Sequence, residues 1–157
     1  MRHLRSVRFM IGAGAVLAAS AAFAAGLSGA DAAKDRQSHM KEMQKSAKAI
    51  VEQLKAGKAD PAVVGPAAKV IAHNAPDLPK WFPKGSGKES GVKTHALPII
   101  WTDRPEFEAK ARALAEATPK LLAVANSGDP AKVGAAMKEV GGACKSCHEK
   151  FEEKHDD

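Results

Sequence analysis

Cysteine is scarce in this chain: Cys144 and Cys147 are the only two among 157 residues. That scarcity argues against a structural zinc site, which takes four Cys or His ligands and usually a second Cys/His pair. Also missing is any alternating β-branched run long enough for a strand, so no sheet-based fold is expected. No internal repeat or low-complexity tract occurs beyond the apolar N-terminal stretch. The formal charge of +6 comes from scattered lysines, which make a solvated surface and do not point to nucleic acid. A modest basic excess suits docking to an acidic protein partner.

The two cysteines are not scattered. They stand in Cys144-Lys145-Ser146-Cys147-His148 near the C-terminus, the spacing of a c-type haem attachment sequence. Two thiols add across the porphyrin vinyl groups and the adjacent imidazole supplies one axial bond to iron. One covalently attached haem c, with its iron held by His148, is therefore expected. A thioredoxin-like dithiol would open a helix after a strand, whereas this motif falls near the end of a long helical pattern.

Arg2, Arg5 and Arg8 precede the uncharged run Phe9 to Leu27, rich in Ala and Gly. A basic segment, a weakly apolar run and small-x-small sequences together read as a secretory signal peptide. Both Ala22-Phe23-Ala24 and Ala30-Asp31-Ala32 fit the cleavage rule, and the later site is preferred, giving a signal peptide over 1–32 and one domain over 33–157. Export places the protein in the bacterial periplasm without a stable membrane association. There cysteines tend to pair unless used otherwise, and haem attachment is such a use. Loss of Arg2, Arg5, Arg8 and Asp31 lowers the net charge, and two haem propionates lower it further.

The mature chain reads as all-α. Met40, Met43, Ala47, Ile50 and Leu54 recur at helical spacing and predict a first helix over about 33–56, ended by Gly57. Asp60-Pro61 caps and opens a second helix, with Val63, Ala67, Val70, Ile71 and Asn74 inward. Residues 76–104, rich in Pro and Gly, predict a long loop, and covering a cofactor is one function for it. A third helix begins near Asp103 and carries Phe107, Ala111, Leu114, Leu121 and Leu122 inward, with a kink expected at Pro119. Asp129-Pro130 opens a fourth, whose inward face holds Val133, Met137, Val140, Cys144, Cys147, His148 and Phe151. Gly141-Gly142 within it suggests close approach of the backbone to a bulky group. Four amphipathic helices with an interior cofactor describe an antiparallel, up-down-up-down four-helix bundle, the haem near the C-terminal end of the last helix.

In such a bundle the first and fourth helices are antiparallel neighbours. Met40 lies about 10 Å from the start of one, and His148 about 13 Å from the end of the chain, which sets them at one level on opposite sides of a haem. A thioether opposite an imidazole favours the reduced iron. Met43, one turn on, is an alternative, as is a bis-histidine site using His73 and His95. Met137 shares a helix with His148 and cannot reach the opposite haem face. Arg36, one turn before Met40, would present a bidentate partner to a haem propionate.

The chain resembles a class II cytochrome c, the cytochrome c prime family. The resemblance rests on Arg36-Gln37-Ser38-His39-Met40, Leu78-Pro79-Lys80-Trp81-Phe82-Pro83, Pro98-Ile99-Ile100-Trp101 with Phe107, and Gly142-Ala143-Cys144-Lys145-Ser146-Cys147-His148, in this order. It implies two alternatives. In the low-spin branch, similar to cytochrome c-556, Met40 binds iron and the protein carries single electrons between transient redox partners. In the high-spin branch the iron is five-coordinate and binds nitric oxide or carbon monoxide. The first is favoured, with Arg36 as propionate partner. The resemblance also allows a homodimer through the first two helices. No enzyme activity is expected, since a peroxidase-like site needs a distal acid/base group and His39 points about 100° away from Met40 around the helix. One departure stands out. Family members commonly carry Arg or Lys four residues past the ligand His, where this chain has Glu152, although Lys150 and Lys154 are near enough in sequence to substitute.

Overall fold

The computed structural model describes residues 28–154. The apolar run Phe9 to Leu27 and most of the expected signal peptide lie outside them. Five helices follow in order: α1 (Gly29–Lys55), α2 (Pro61–Asn74), the single turn α3 (Ile99–Thr102), α4 (Arg104–Val124) and α5 (Pro130–Phe151). The four long ones form the expected antiparallel bundle. α1 packs chiefly on α2 and α4 on α5, while α1 and α5 meet sparsely. Among the described residues there is no strand, only an isolated antiparallel bridge between Ala96 and Glu152.

The helix boundaries follow from their caps. Asp60 accepts from the Ala62 N–H, and Asp129 from those of Ala131 and Lys132, each just before a proline that needs no N–H partner. Gly57 closes α1 at φ 68°, a left-handed conformation that glycine adopts without steric cost. α1 starts earlier than 33: Ser28 accepts from the Asp31 N–H. A Cβ on Gly29 would lie 2.0 Å from the Gly85 carbonyl oxygen, so only glycine lets this first turn seat against the loop.

The core confirms most of the predicted inward faces and corrects two. In α2 Val64 is fully buried where Val63 was expected, and in α4 Leu122 is 38% exposed while Leu114, Ala117, Thr118 and Leu121 are buried. α4 continues past Pro119 to Val124. The proline cannot donate to the Ala115 carbonyl, and the Thr118 hydroxyl does so instead at 2.9 Å. Gly141 and Gly142 make no close approach to the protein's own atoms. An added Cβ would meet nothing within 4 Å at either.

The segment after α2 is less irregular than its composition suggests. It winds as a 3₁₀ helix over Ala75–Trp81 and again over Lys88–Ser90 before α3. Side chains from the helices hold it down. Trp101 Nε1 donates to the carbonyls of Phe82 and Pro83, Arg104 to those of Pro79 and Phe82, and Gln37 to that of Lys93. Phe82, Phe107 and Phe151 stack edge to face, tying loop, α4 and α5 together.

Two substitutions test this account by denaturant unfolding. Thr118→Val leaves the Ala115 carbonyl without its donor and should cost about 1–2 kcal/mol. Gly142→Ala, in open space within a helix, should instead stabilise by about 0.5–1 kcal/mol.

Candidate haem site

Where α1 and α5 stand apart, a cavity of about 780 Å³ opens between them. Its walls are mainly apolar: Met40, Met43 and Ala47 from α1, Ile71 from α2, Leu78 and Phe82 from the loop, Phe107, Ala111 and Leu114 from α4, and Val140 from α5. Cys144, Cys147 and His148 complete it on the α5 side. The thiols three residues apart share one helix face, and both are free and partly buried. Burial raises the Cys144 thiol above its ordinary pKa. It pushes Cys147 up to about 11, with the neighbouring Cys144 adding to the rise. Both are neutral thiols at pH 7, unlike the depressed pair of a redox-active dithiol. Among the described residues no three His, Cys, Asp or Glu side chains converge as a metal cage.

Arg36 reaches the cavity from α1 and is only 3% exposed. Nη1 donates to the Trp81 carbonyl at 3.3 Å and the Ser86 hydroxyl at 3.0 Å. Nη2 donates to the Ser86 carbonyl at 2.9 Å and the Thr94 hydroxyl at 3.2 Å. The guanidinium also lies 4.5 Å from the centre of the Phe82 ring. All these partners are neutral. Burial lowers the Arg36 pKa, offset in part by the field of Glu89. A cation buried without an ion-paired carboxylate at the edge of an apolar cavity calls for an anionic occupant.

These features fit a haem: an apolar chamber for the macrocycle, two neutral thiols on one wall, an imidazole beside them, and a buried cation for a propionate. The structure brings Cys144, Cys147, His148, Met40 and Arg36 to this one chamber, together with Met43 and His95. The bis-histidine alternative loses one member, because His73 is exposed on α2 and does not line the cavity. His39 also lies off the lining, stacked on Trp81 with ring centres 4.4 Å apart. Met137 is buried in the core, away from the lining, and Gly141 and Gly142, half-buried and exposed, do not line it either.

Sequence reasoning missed what the loop contributes. Ser86 and Thr94, both buried, hold Arg36 in place, and nothing in a Gly/Pro-rich stretch marks two hydroxyls as its acceptors. It also treated Lys150 as a cation available to His148. The Lys150 ammonium is bound instead to Asp103 and Glu106 of the α4 start, which raises its own pKa and lowers that of Asp103.

The cytochrome C′ family profile matches residues 31–152. A cytochrome c′ of Rubrivivax gelatinosus is 47% identical over 70 residues, 45% of this chain and 54% of that protein, so this match spans about half of the relative's length. Cytochrome c-556 of Agrobacterium fabrum is 35% identical over 136 residues, 86% of each chain. The crystal structure of cytochrome c′ from Thermochromatium tepidum superposes with a TM-score of 0.77 at 30% identity, covering 83% of this chain and all of that one. A bundle with this chamber and a family match across nearly all the described residues lead to one conclusion: the chain belongs to the cytochrome c′ family of haem proteins and carries one covalently attached haem c.

Proposed function

We propose that this protein is a periplasmic electron carrier whose haem is held by Cys144 and Cys147 through thioethers, with His148 and Met40 as axial ligands. The observation that carries the reading is that Met40 and His148 line the same chamber from α1 and α5. When bound, the haem iron supplies one-electron Fe(III)/Fe(II) cycling. The chain does the rest. Apolar walls exclude water, the thioether of Met40 favours the reduced metal, and Arg36 supplies positive charge for a propionate.

The rim of the chamber suits brief docking. Lys41, Lys93 and Lys110 line it, and none forms an ion pair with a described residue. Three uncompensated cations around one opening favour encounter with an acidic redox partner through a small, weak interface. Export by the N-terminal signal belongs to the same reading. Cleavage after Ala24 keeps the Ser28 cap and the Gly29 seat of α1, whereas cleavage after Ala32 removes both.

The optical spectrum of the holoprotein tests the ligand pair. A low-spin spectrum with a sulfur-to-iron charge-transfer band in the oxidised form is expected, and Met40→Ala should turn it high-spin and responsive to carbon monoxide. A natural chain that is already high-spin supports the five-coordinate, gas-binding alternative. Low-spin character that survives in Met40→Ala points to Met43 or His95. Arg36→Gln should lower the reduction potential, because a positive charge beside the haem is lost. It should also cost about 2–3 kcal/mol in denaturant unfolding, because the clamp on the loop goes with it.

A further inference from the structure

The proximal side of the site holds a contact that the attachment motif does not require. Glu152 Oε2 lies 3.2 Å from His148 Nδ1, one helical turn apart. The contact is not left to a fraying terminus. Glu152 caps α5 with its N–H on the His148 carbonyl at 3.0 Å, and its residue forms the bridge with Ala96. On either side, Leu97 N–H donates to the Phe151 carbonyl and Glu153 N–H to the His95 carbonyl. The backbone is thus pinned by α5 and by the loop at once.

Three of the neighbouring cations are engaged elsewhere, while Lys110, which lines the same chamber, and Lys154 make no ion pair with a described residue. Lys150 is bound to Asp103 and Glu106, Lys145 faces Glu149, and Lys88 faces Glu153. Among the described residues Glu152 makes no ion pair other than the one with His148.

We propose that Glu152 is the positioning residue of the axial imidazole: it accepts the Nδ1–H of His148, leaving Nε2 for the iron, and biases the couple toward Fe(III). A carboxylate on the far nitrogen of a metal-bound imidazole fixes its tautomer and ring orientation and makes it a stronger donor. Stronger donation and added negative charge both stabilise the oxidised metal, so the reduction potential falls. The effect opposes that of Met40 and has the opposite sign to a cation at this position. The proposal rests on the reading that His148 is the ligand.

The test uses the holoprotein and three variants, Glu152→Gln, Glu152→Asp and Glu153→Gln. Each is first shown by its alkaline pyridine spectrum to hold thioether-linked haem and by thermal unfolding to be folded. Spectroelectrochemistry then gives the midpoint potentials. Glu152→Gln should shift the Fe(III)/Fe(II) equilibrium at least tenfold toward Fe(II), a rise of 59 mV for one electron. Glu152→Asp should keep most of the natural value, and Glu153→Gln, which removes the same charge one residue away, should move it far less. In the Met40→Ala background, adding Glu152→Gln should lower the iron–imidazole stretching frequency of the ferrous form.

An unchanged potential in Glu152→Gln, or equal rises in Glu152→Gln and Glu153→Gln, overturns the proposal. The ligand reading fails separately: if His148→Ala keeps the natural spectrum, His148 is not the axial residue.

Discussion

The structure depends on burying the guanidinium of Arg36 without an ion-paired carboxylate, with only the field of Glu89 acting on it. A buried cation must find hydrogen-bond acceptors, and here the acceptors are the Trp81 and Ser86 carbonyls and the hydroxyls of Ser86 and Thr94. Reaching them brings residues 81–94 across the open side of the bundle. Phe82 follows, placing its ring against the guanidinium and against Phe107. One charge thereby organises a loop, an aromatic cluster and a wall of the chamber. Because neutral acceptors satisfy its geometry but not its charge, the same residue favours an anion inside. Folding and cofactor binding converge on it.

That arrangement explains why the bundle tolerates a large apolar cavity. Interiors of this kind normally close to crystalline density, and unfilled volume destabilises. Here α1 and α5 stay apart while α1 packs on α2 and α4 on α5. The loop bridges the gap through Arg36 and Gln37 on one side and the Ala96–Glu152 bridge on the other. The chamber is framed by backbone hydrogen bonds and a buried cation, not by side chains meeting in its middle, and the cofactor supplies the missing packing.

Much of this was legible in the sequence, for reasons that differ by feature. Asp60-Pro61 and Asp129-Pro130 announced helix starts because cap chemistry is local. Cys144, Cys147 and His148 announced the cofactor because the spacing is its own chemistry. The inward stripe of α2 was displaced by one residue, to Val64, because Val63 and Val64 are equally apolar and only packing chooses between them. Hydrophobicity puts both Leu121 and Leu122 inside, and only Leu121 takes a core position. The spacing that sets Met40 and His148 at one level counts from a first helix starting near 33 and from the end of the chain, whereas α1 begins at Gly29 and α5 ends at Phe151. Both residues still line one chamber. What the sequence could not show was which distant polar groups meet: Arg36 with Ser86 and Thr94, and Lys150 with Asp103 and Glu106.

Those unforeseen pairings decide how the site is tuned. A chain with Met40 on one wall and three cations at the rim looks built for a high potential. The carboxylate at Glu152 works against that, and its effect depends on where Lys150 goes. Had Lys150 turned toward Glu152, it would have neutralised the charge beside His148. By engaging Asp103 and Glu106 at the start of α4, it fastens the end of α5 to α4 and leaves Glu152 to the imidazole. The ion-paired cluster that secures the helix also frees the carboxylate, so helix anchoring and redox tuning are one arrangement of charges.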